Sequence, residues 1–196
     1  MIRFFDIIIS VLGLIIFSPL FFILYILIRM ESKGGGIYAQ ERIGLNGVPF
    51  RLYKFRTMVV DSDKGSLITV GKHDSRLTRV GYLIRKYKLD ELPQLWNVLI
   101  GDMSLVGPRP EVEKYTKLYT EEQRKVLLVR PGITDWASIK YLDENVILGQ
   151  AEDPDKVYVE QIIPDKIRYN MIWIKNRGVI DYFKIIFVTI QTIAKK

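Results

Sequence analysis

The chain has 196 residues, room for one domain of ~100–200 residues or for one plus a tethering segment, and its 48% apolar content excludes a solvated, disordered chain. Its 29 Lys and Arg against 22 Asp and Glu leave a net charge of +7, which points to an anionic partner such as phosphates, anionic lipid or nucleic acid. The absence of cysteine and a single histidine, His73, exclude disulfides, thiolate metal sites and cysteine nucleophiles and disfavour histidine triads, leaving carboxylates, hydroxyls, Lys, Arg and a hard cation for chemistry.

From Ile7 to Ile28 run 22 consecutive residues without a charge, bracketed by Arg3 and Asp6 on one side and Arg29, Glu31 and Lys33 on the other. At ~1.5 Å per residue one straight helix of that length could cross a hydrocarbon core of ~30 Å. A cleaved signal peptide fits poorly, because the run exceeds an h-region of ~7–15 residues and no small-x-small site follows it. Ser18-Pro19 sits near the middle, where a proline deletes one backbone hydrogen bond and kinks the helix, and Ser18 can re-satisfy the freed carbonyl. With cations at both ends, charge gives no orientation. The helix either spans, or bends and returns both ends to the same side; a buried core helix is the bland alternative, disfavoured by length and by the lack of a polar face.

Gly34-Gly35-Gly36 reads as a hinge, and alternations such as Phe50-Arg51-Leu52-Tyr53-Lys54-Phe55 predict a hairpin within 37–60. Residues 61–75 read as a loop. Helical periodicity returns over about 76–88 and from Glu91 to Ile100, where Gly101 stops it. Gly107-Pro108-Arg109-Pro110 predicts a rigid loop. A helix is expected over 111–128, with Glu121 and Lys125 at a supportive i,i+4 spacing, ended by Pro131-Gly132. Residues 155–196 read as mostly helical. In the tail, Ile180, Phe183, Ile186, Phe187 and Ile190 form an apolar stripe that suits either a packed core or a membrane interface. Charge is segregated: residues 41–90 hold 11 Lys and Arg against 5 Asp and Glu, while 141–165 hold 1 Lys against 7 Asp and Glu. A basic surface beside a membrane attracts anionic headgroups and anionic substrates.

Familiar phosphate and calcium motifs fail. Gly65 through Gly71-Lys72 has the wrong spacing for a P-loop, and Asp61-Ser62-Asp63-Lys64-Gly65 places glycine too early for a calcium loop. Nucleic-acid binding is not expected, since no such module accompanies the basic residues. The segment Arg85 to Leu95 is more informative. Asp90 and Glu91 are adjacent carboxylates following a run of cations, and Pro93 suits a first helical turn. Asp90 could simply cap the following helix. Arg109, framed by two prolines, presents a rigid guanidinium suited to phosphate, however, and carboxylates beside cations point to metal-assisted phosphoryl chemistry.

Asp90-Glu91-Leu92-Pro93-Gln94-Leu95, Gly101 to Pro110, Tyr53-Lys54-Phe55-Arg56-Thr57-Met58, Arg130-Pro131-Gly132-Ile133-Thr134 and Ser18-Pro19 stand in one order and spacing. In these motifs, from about Arg3 to Thr192, the chain resembles the small monotopic phosphoglycosyl transferases, bacterial sugar transferases that initiate surface glycan assembly. The resemblance implies a mainly α fold with a small β element: a re-entrant membrane helix-break-helix (1–33), broken at Ser18-Pro19, and a compact helical catalytic domain (34–196) with amphipathic interfacial helices. It implies a protein of the bacterial inner membrane with its catalytic domain on the cytoplasmic face. The implied reaction moves a phosphosugar from a UDP-sugar to polyprenol phosphate, giving polyprenol-diphosphate-sugar and UMP, with Mg²⁺. Asp90 matches the nucleophile that forms an aspartyl phosphosugar, and Glu91 its partner, as base or metal ligand; both are implied metal ligands. Lys54, Arg85 and Arg109 match positions for charge stabilisation and phosphate binding, and Arg56 and Arg130, in the same motifs, join them as candidates. Expected partners are the UDP-sugar, polyprenol phosphate and membrane lipid, with a homodimer left open and no further N-terminal domain expected.

Two departures stand out. Tyr169 is followed by Asn170 where some members carry aspartate, a role Asp165 or Asp181 could fill, and Asp135 to Asn145 departs from the common pattern in a region that could contact the nucleotide-sugar. Outside the resemblance, a metal-dependent phosphohydrolase and a non-catalytic membrane scaffold remain as other readings.

Overall fold

The computed structural model describes residues 1–60 and 74–195. The predicted loop (but for its last two residues), His73 and the P-loop-like and calcium-like segments lie outside the described residues. The fold is mostly helical with two small two-stranded sheets.

Helices α1 (Ile2–Ile16) and α2 (Ser18–Glu31) meet at a 61° bend. Pro19 falls in the first turn of α2, where its missing N–H deprives no carbonyl, and Ser18 Oγ donates to the Ile15 carbonyl at 2.8 Å. Among the described residues no single helix is long and apolar enough to cross a membrane, and only this bent pair passes together. Phe4, Leu12, Ile15 and Ile16 of α1 and Phe22, Ile23 and Met30 of α2 are exposed, the reverse of a buried core helix. The other face of α1 packs on the body through Ile2, Phe5, Ile9 and Leu14.

The expected hairpin is present: β1 (Ile37–Ile43) pairs antiparallel with β2 (Pro49–Phe55) across a turn in which Asn46 and Gly47 take positive φ. Helix α3 (Arg79–Lys86) starts at Thr78, whose Oγ1 accepts the Gly81 N–H at 2.9 Å. The helix expected from Glu91 begins later, at α4 (Gln94–Ile100). Lys88 turns left-handed at φ 56°, Leu89–Glu91 form a tight 3-10 turn, and Asp90 caps nothing. Gly101, at φ 102°, ends α4 as expected.

The parallel pairing of β3 (Ser104–Val106) with β4 (Gly132–Thr134) was not legible beforehand. It brings Gly132 so close to Gly107 that a Cβ there would lie 2.1 Å from the Gly107 nitrogen, so only glycine fits. The single helix expected over 111–128 is broken into α5 (Glu113–Thr116), α6 (Glu121–Arg124) and a 3-10 turn (Lys125–Leu128). A reciprocal Thr120–Gln123 capping box restarts the chain, and Lys125 pairs with Glu122 at 2.6 Å rather than with Glu121.

The remainder runs through α7 (Trp136–Lys140), α8 (Glu144–Gly149), α9 (Pro154–Val157), a π-helical turn (Tyr158–Ile162), α10 (Ile163–Lys175) and α11 (Val179–Ala194). In α11 the core side is Tyr182 and Ile185. Of the predicted stripe only Ile186 packs inward, while Ile180, Phe183, Phe187 and Ile190 stay exposed on the side where Phe183 meets Phe5 of α1 edge-on.

Candidate active site

A cleft of about 520 Å³ is lined by cationic and acidic side chains, a volume suited to a small-molecule ligand. Its cations include Arg42 and Lys54 from the hairpin, Arg85 and Lys88 from α3 and its exit, and Arg109. Tyr141, Asp143, Glu144 and Asn145 around the start of α8 also line it, with Tyr158 and Lys166. The basic and acidic segments of the sequence therefore both contribute to one cleft. Asp90 and Glu91 line it, in the turn between α3 and α4.

The two adjacent carboxylates have unequal surroundings. Glu91 receives a bidentate pair from Arg109, Nη2 to Oε1 at 2.6 Å and Nη1 to Oε2 at 3.1 Å. Burial acts to raise the Glu91 pKa, but Arg109, Lys88 and Lys54 outweigh it and hold the carboxyl well below the usual range; Arg109 is raised in turn, chiefly by Glu91. Asp90 is buried, and its Oδ1 has no hydrogen-bond partner. Burial raises its pKa, the Glu91 charge adds to this, and Lys54 and Arg85 oppose it. A buried acceptor left without a partner costs roughly 1–3 kcal/mol, and such groups concentrate where a ligand completes the bonding. Lys54, half-buried in the cleft, is pushed down to about 7 by removal from water and by the neighbouring Arg109 and Arg42.

The sequence thus brings Lys54, Arg85, Asp90, Glu91 and Arg109 to one cleft. Arg56 and Arg130 lie elsewhere and bond backbone carbonyls: Arg56 holds those of Ser32 and Lys33, each at 2.8 Å, and Arg130 holds that of Gly101 at 2.9 Å. Ser18 and Pro19 stand at the α1–α2 bend. Neither Asp165 nor Asp181 lines the cleft; Asp165 binds Lys140, Tyr141 and Arg168, and Asn170 is buried with its Oδ1 unpartnered.

Residue typing missed the support behind Arg109. Glu111 accepts from Tyr158 OH at 2.5 Å and pairs with Arg42 at 3.7 Å, while Arg42 donates to the Pro110 carbonyl at 3.1 Å, so the loop carrying Arg109 is braced from its far side. Its position directly after Pro-Arg-Pro was the available signal. Among the described residues no three His, Cys, Asp or Glu side chains are grouped to cage a metal ion. A hard cation would depend on Asp90 and Glu91 together with substrate oxygens, an arrangement Mg²⁺ accepts, and the unpartnered Asp90 Oδ1 fits it.

The sequence is 39% identical over 191 residues to the UDP-N-acetylgalactosamine-undecaprenyl-phosphate N-acetylgalactosaminephosphotransferase of Aeromonas hydrophila, covering 96% of this chain and 42% of that protein. It is 36% identical over 188 residues to the UDP-glucose:undecaprenyl-phosphate glucose-1-phosphate transferase of Klebsiella pneumoniae, covering 94% and 38%. Against a putative undecaprenyl-phosphate N-acetylgalactosaminyl 1-phosphate transferase of Bacillus subtilis it is 47% identical over 120 residues, covering 61% and 67%. The chain thus spans well under half the length of the first and second of these relatives. The bacterial sugar transferase profile matches residues 1–196, and the chain belongs to that family.

Proposed function

We propose that the protein transfers a phosphosugar from a UDP-sugar to polyprenol phosphate by way of Asp90. The observation that carries this reading is Asp90, which lines a cation-lined cleft and has one buried carboxylate oxygen without a partner. The relatives named above act on undecaprenyl phosphate, which supports a polyprenol phosphate acceptor. The Asp90 carboxylate attacks the phosphorus that bears the sugar; an aspartyl O–P bond forms, the bond to the bridging oxygen breaks, and UMP leaves with that electron pair. A phosphate oxygen of the lipid then attacks the same phosphorus and frees the aspartate. Splitting the transfer in two suits one soluble and one lipid substrate. Arg109, Lys54 and Arg85 stabilise charge on the phosphoryl oxygens. Mg²⁺ held by Asp90, Glu91 and donor phosphate would neutralise charge there.

The exposed apolar faces of α1, α2 and α11 suit lipid, and we read the bent pair as a re-entrant anchor rather than a span. Helix α3, whose Tyr82 lines the cleft, packs on α2, which sets the cleft beside that surface. Incubation with UDP-sugar and polyprenol phosphate is expected to yield UMP and polyprenol-diphosphate-sugar in equal amounts. Free sugar phosphate in their place would make the protein a phosphohydrolase.

The pH profile follows from the two shifted groups. The kcat/KM for donor rises as Asp90 ionises, at a pH above the ordinary aspartate value, and falls above about pH 7 as Lys54 loses its proton. Lys54→Arg, charged throughout, moves the falling limb upward. A wild-type profile flat from neutral into alkaline pH would contradict this role.

The relatives' names differ in the sugar, and the cleft residues Asp143, Glu144 and Asn145 lie in the segment that departs from the common pattern. Carboxylates and an amide suit hydroxyl and acetamido groups and repel a carboxylate. We expect Asn145→Ala to change the ratio of kcat/KM between UDP-glucose and UDP-N-acetylgalactosamine by roughly tenfold, about one hydrogen bond. An equal change for both donors would place the sugar elsewhere.

A further inference from the structure

Asp90 stands at the apex between α3 and α4, so the far ends of those helices govern where the apex sits. Each far end is held by one end of the α1–α2 pair. At the C-terminus of α4, Arg3 Nη1 donates to the Val98 carbonyl at 2.6 Å, which also accepts from the Gly101 N–H at 3.2 Å, and Nη2 donates to the Leu99 carbonyl at 3.0 Å, so the guanidinium sits on last-turn acceptors. At the N-terminus of α3, the Glu31 carboxylate accepts the N–H of Arg79 at 2.7 Å and of Val80 at 3.0 Å.

Two buried or tightly bonded contacts make these ends rigid. Asp6, buried in the first turns of α1, accepts from Ser104 Oγ and Leu105 N, both at 3.0 Å, and from Tyr182 OH at 2.8 Å. Arg56 grips the Ser32 and Lys33 carbonyls just beyond α2. Arg109 sits on the loop after β3, with its own N–H bonded to Asp135 at 3.2 Å and its guanidinium paired with Glu91, next to Asp90. A change in the angle between α1 and α2 therefore bears on the Asp90 turn through both helices that meet there. Arg3 and Glu31 also lie just outside the uncharged run, beyond Asp6 and Arg29, so residues close to the edge of an apolar layer are tied to the helices of the nucleophile.

We infer that Arg3 and Glu31 are positioning residues through which the membrane-seated α1–α2 pair sets Asp90 against Lys54 and Arg109, so that bilayer thickness tunes the chemical step. This rests on the phosphotransfer reading and on the helix pair lying in lipid. A thicker or thinner apolar layer changes the bend that best matches it. Strain at the bend reaches Asp90 through two short helices.

The test uses the full chain in phosphatidylcholine vesicles of short or long acyl chains, with UDP-sugar and Mg²⁺, reading the single-turnover rate of UMP release and the donor KM. The wild-type rate is expected to differ roughly threefold or more between the two vesicles, at unchanged KM. Glu31→Ala and Arg3→Ala should lower the rate and flatten that dependence, while Glu31→Gln, which keeps an acceptor oxygen for the α3 N–H groups, restores it in part. A wild-type rate indifferent to thickness overturns the inference without any variant. So does full dependence in Glu31→Ala and Arg3→Ala proteins that unfold at the wild-type temperature. UMP absent from the wild type in every vesicle removes the phosphotransfer reading itself, and this one with it.

Discussion

Asp90→Asn is expected to lower UMP release by at least ~10³-fold, because an amide oxygen cannot serve as the attacking carboxylate. The same substitution should stabilise the protein by about 1 kcal/mol at neutral pH. The sign follows from the raised Asp90 pKa. A carboxyl whose folded pKa lies above its unfolded one binds more protons when folded, so its ionised form opposes folding at neutral pH, and the gain on substitution fades as pH falls through the raised folded value and is largely gone by the unfolded value of ~3.9. Thermal unfolding at two pH values together with UMP release separates the effects. A helix-capping Asp90 would show neither, and a variant both slow and unstable would make Asp90 a scaffold residue.

Arg109→Ala carries the second large effect. It strips Glu91 of both bonds at 2.6 and 3.1 Å and leaves a buried carboxylate without its cation. Breaking a buried pair costs ~3–5 kcal/mol, and since the Arg109 side chain is 30% exposed a smaller loss, about 2–3 kcal/mol, is expected. The Glu91 pKa is depressed, so the pair's contribution is fully present above the unfolded glutamate value of ~4.3 and is lost as pH falls toward the folded value. Acid unfolding of Arg109→Ala should therefore show a shallower loss of stability below that pH than the wild type. The double variant Arg109→Met with Glu91→Leu should recover most of the stability while UMP release stays at least ~10²-fold down. Recovered activity in the double variant would mean that the pair braces the fold and takes no part in binding phosphate.

Elements with their own periodicity or punctuation were legible in the sequence: the β1–β2 hairpin from its alternation, α3 from its apolar spacing, the stop at Gly101 and the break at Ser18-Pro19. The β3–β4 pair was not, because each strand has three residues and no period to read. Their pairing depends on two glycines meeting across ~25 residues of chain, and only the fold shows that approach. The interruption in 111–128 was hidden by a helical pattern that continues through it, although Thr120 and Gln123 carried the capping signal. In the site, residue type and motif brought together Lys54, Arg85, Asp90, Glu91 and Arg109. They could not divide the labour between the adjacent carboxylates, since that division comes from a guanidinium 18 positions away. Nor could they tell arginines that face a cleft from Arg56 and Arg130, whose donor forks suit carbonyls as well as phosphates.

In the proposed mechanism Asp90 carries the phosphosugar covalently. Intact-protein mass spectrometry of detergent-solubilised protein, incubated with Mg²⁺ and a small panel of UDP-sugars without lipid acceptor, tests it directly. A mass increase of one phosphosugar on the wild type, absent from Asp90→Asn, is the predicted result and also names an accepted sugar. No adduct with any donor, while UMP appears only once polyprenol phosphate is added, would contradict it and leave a direct transfer between the two substrates.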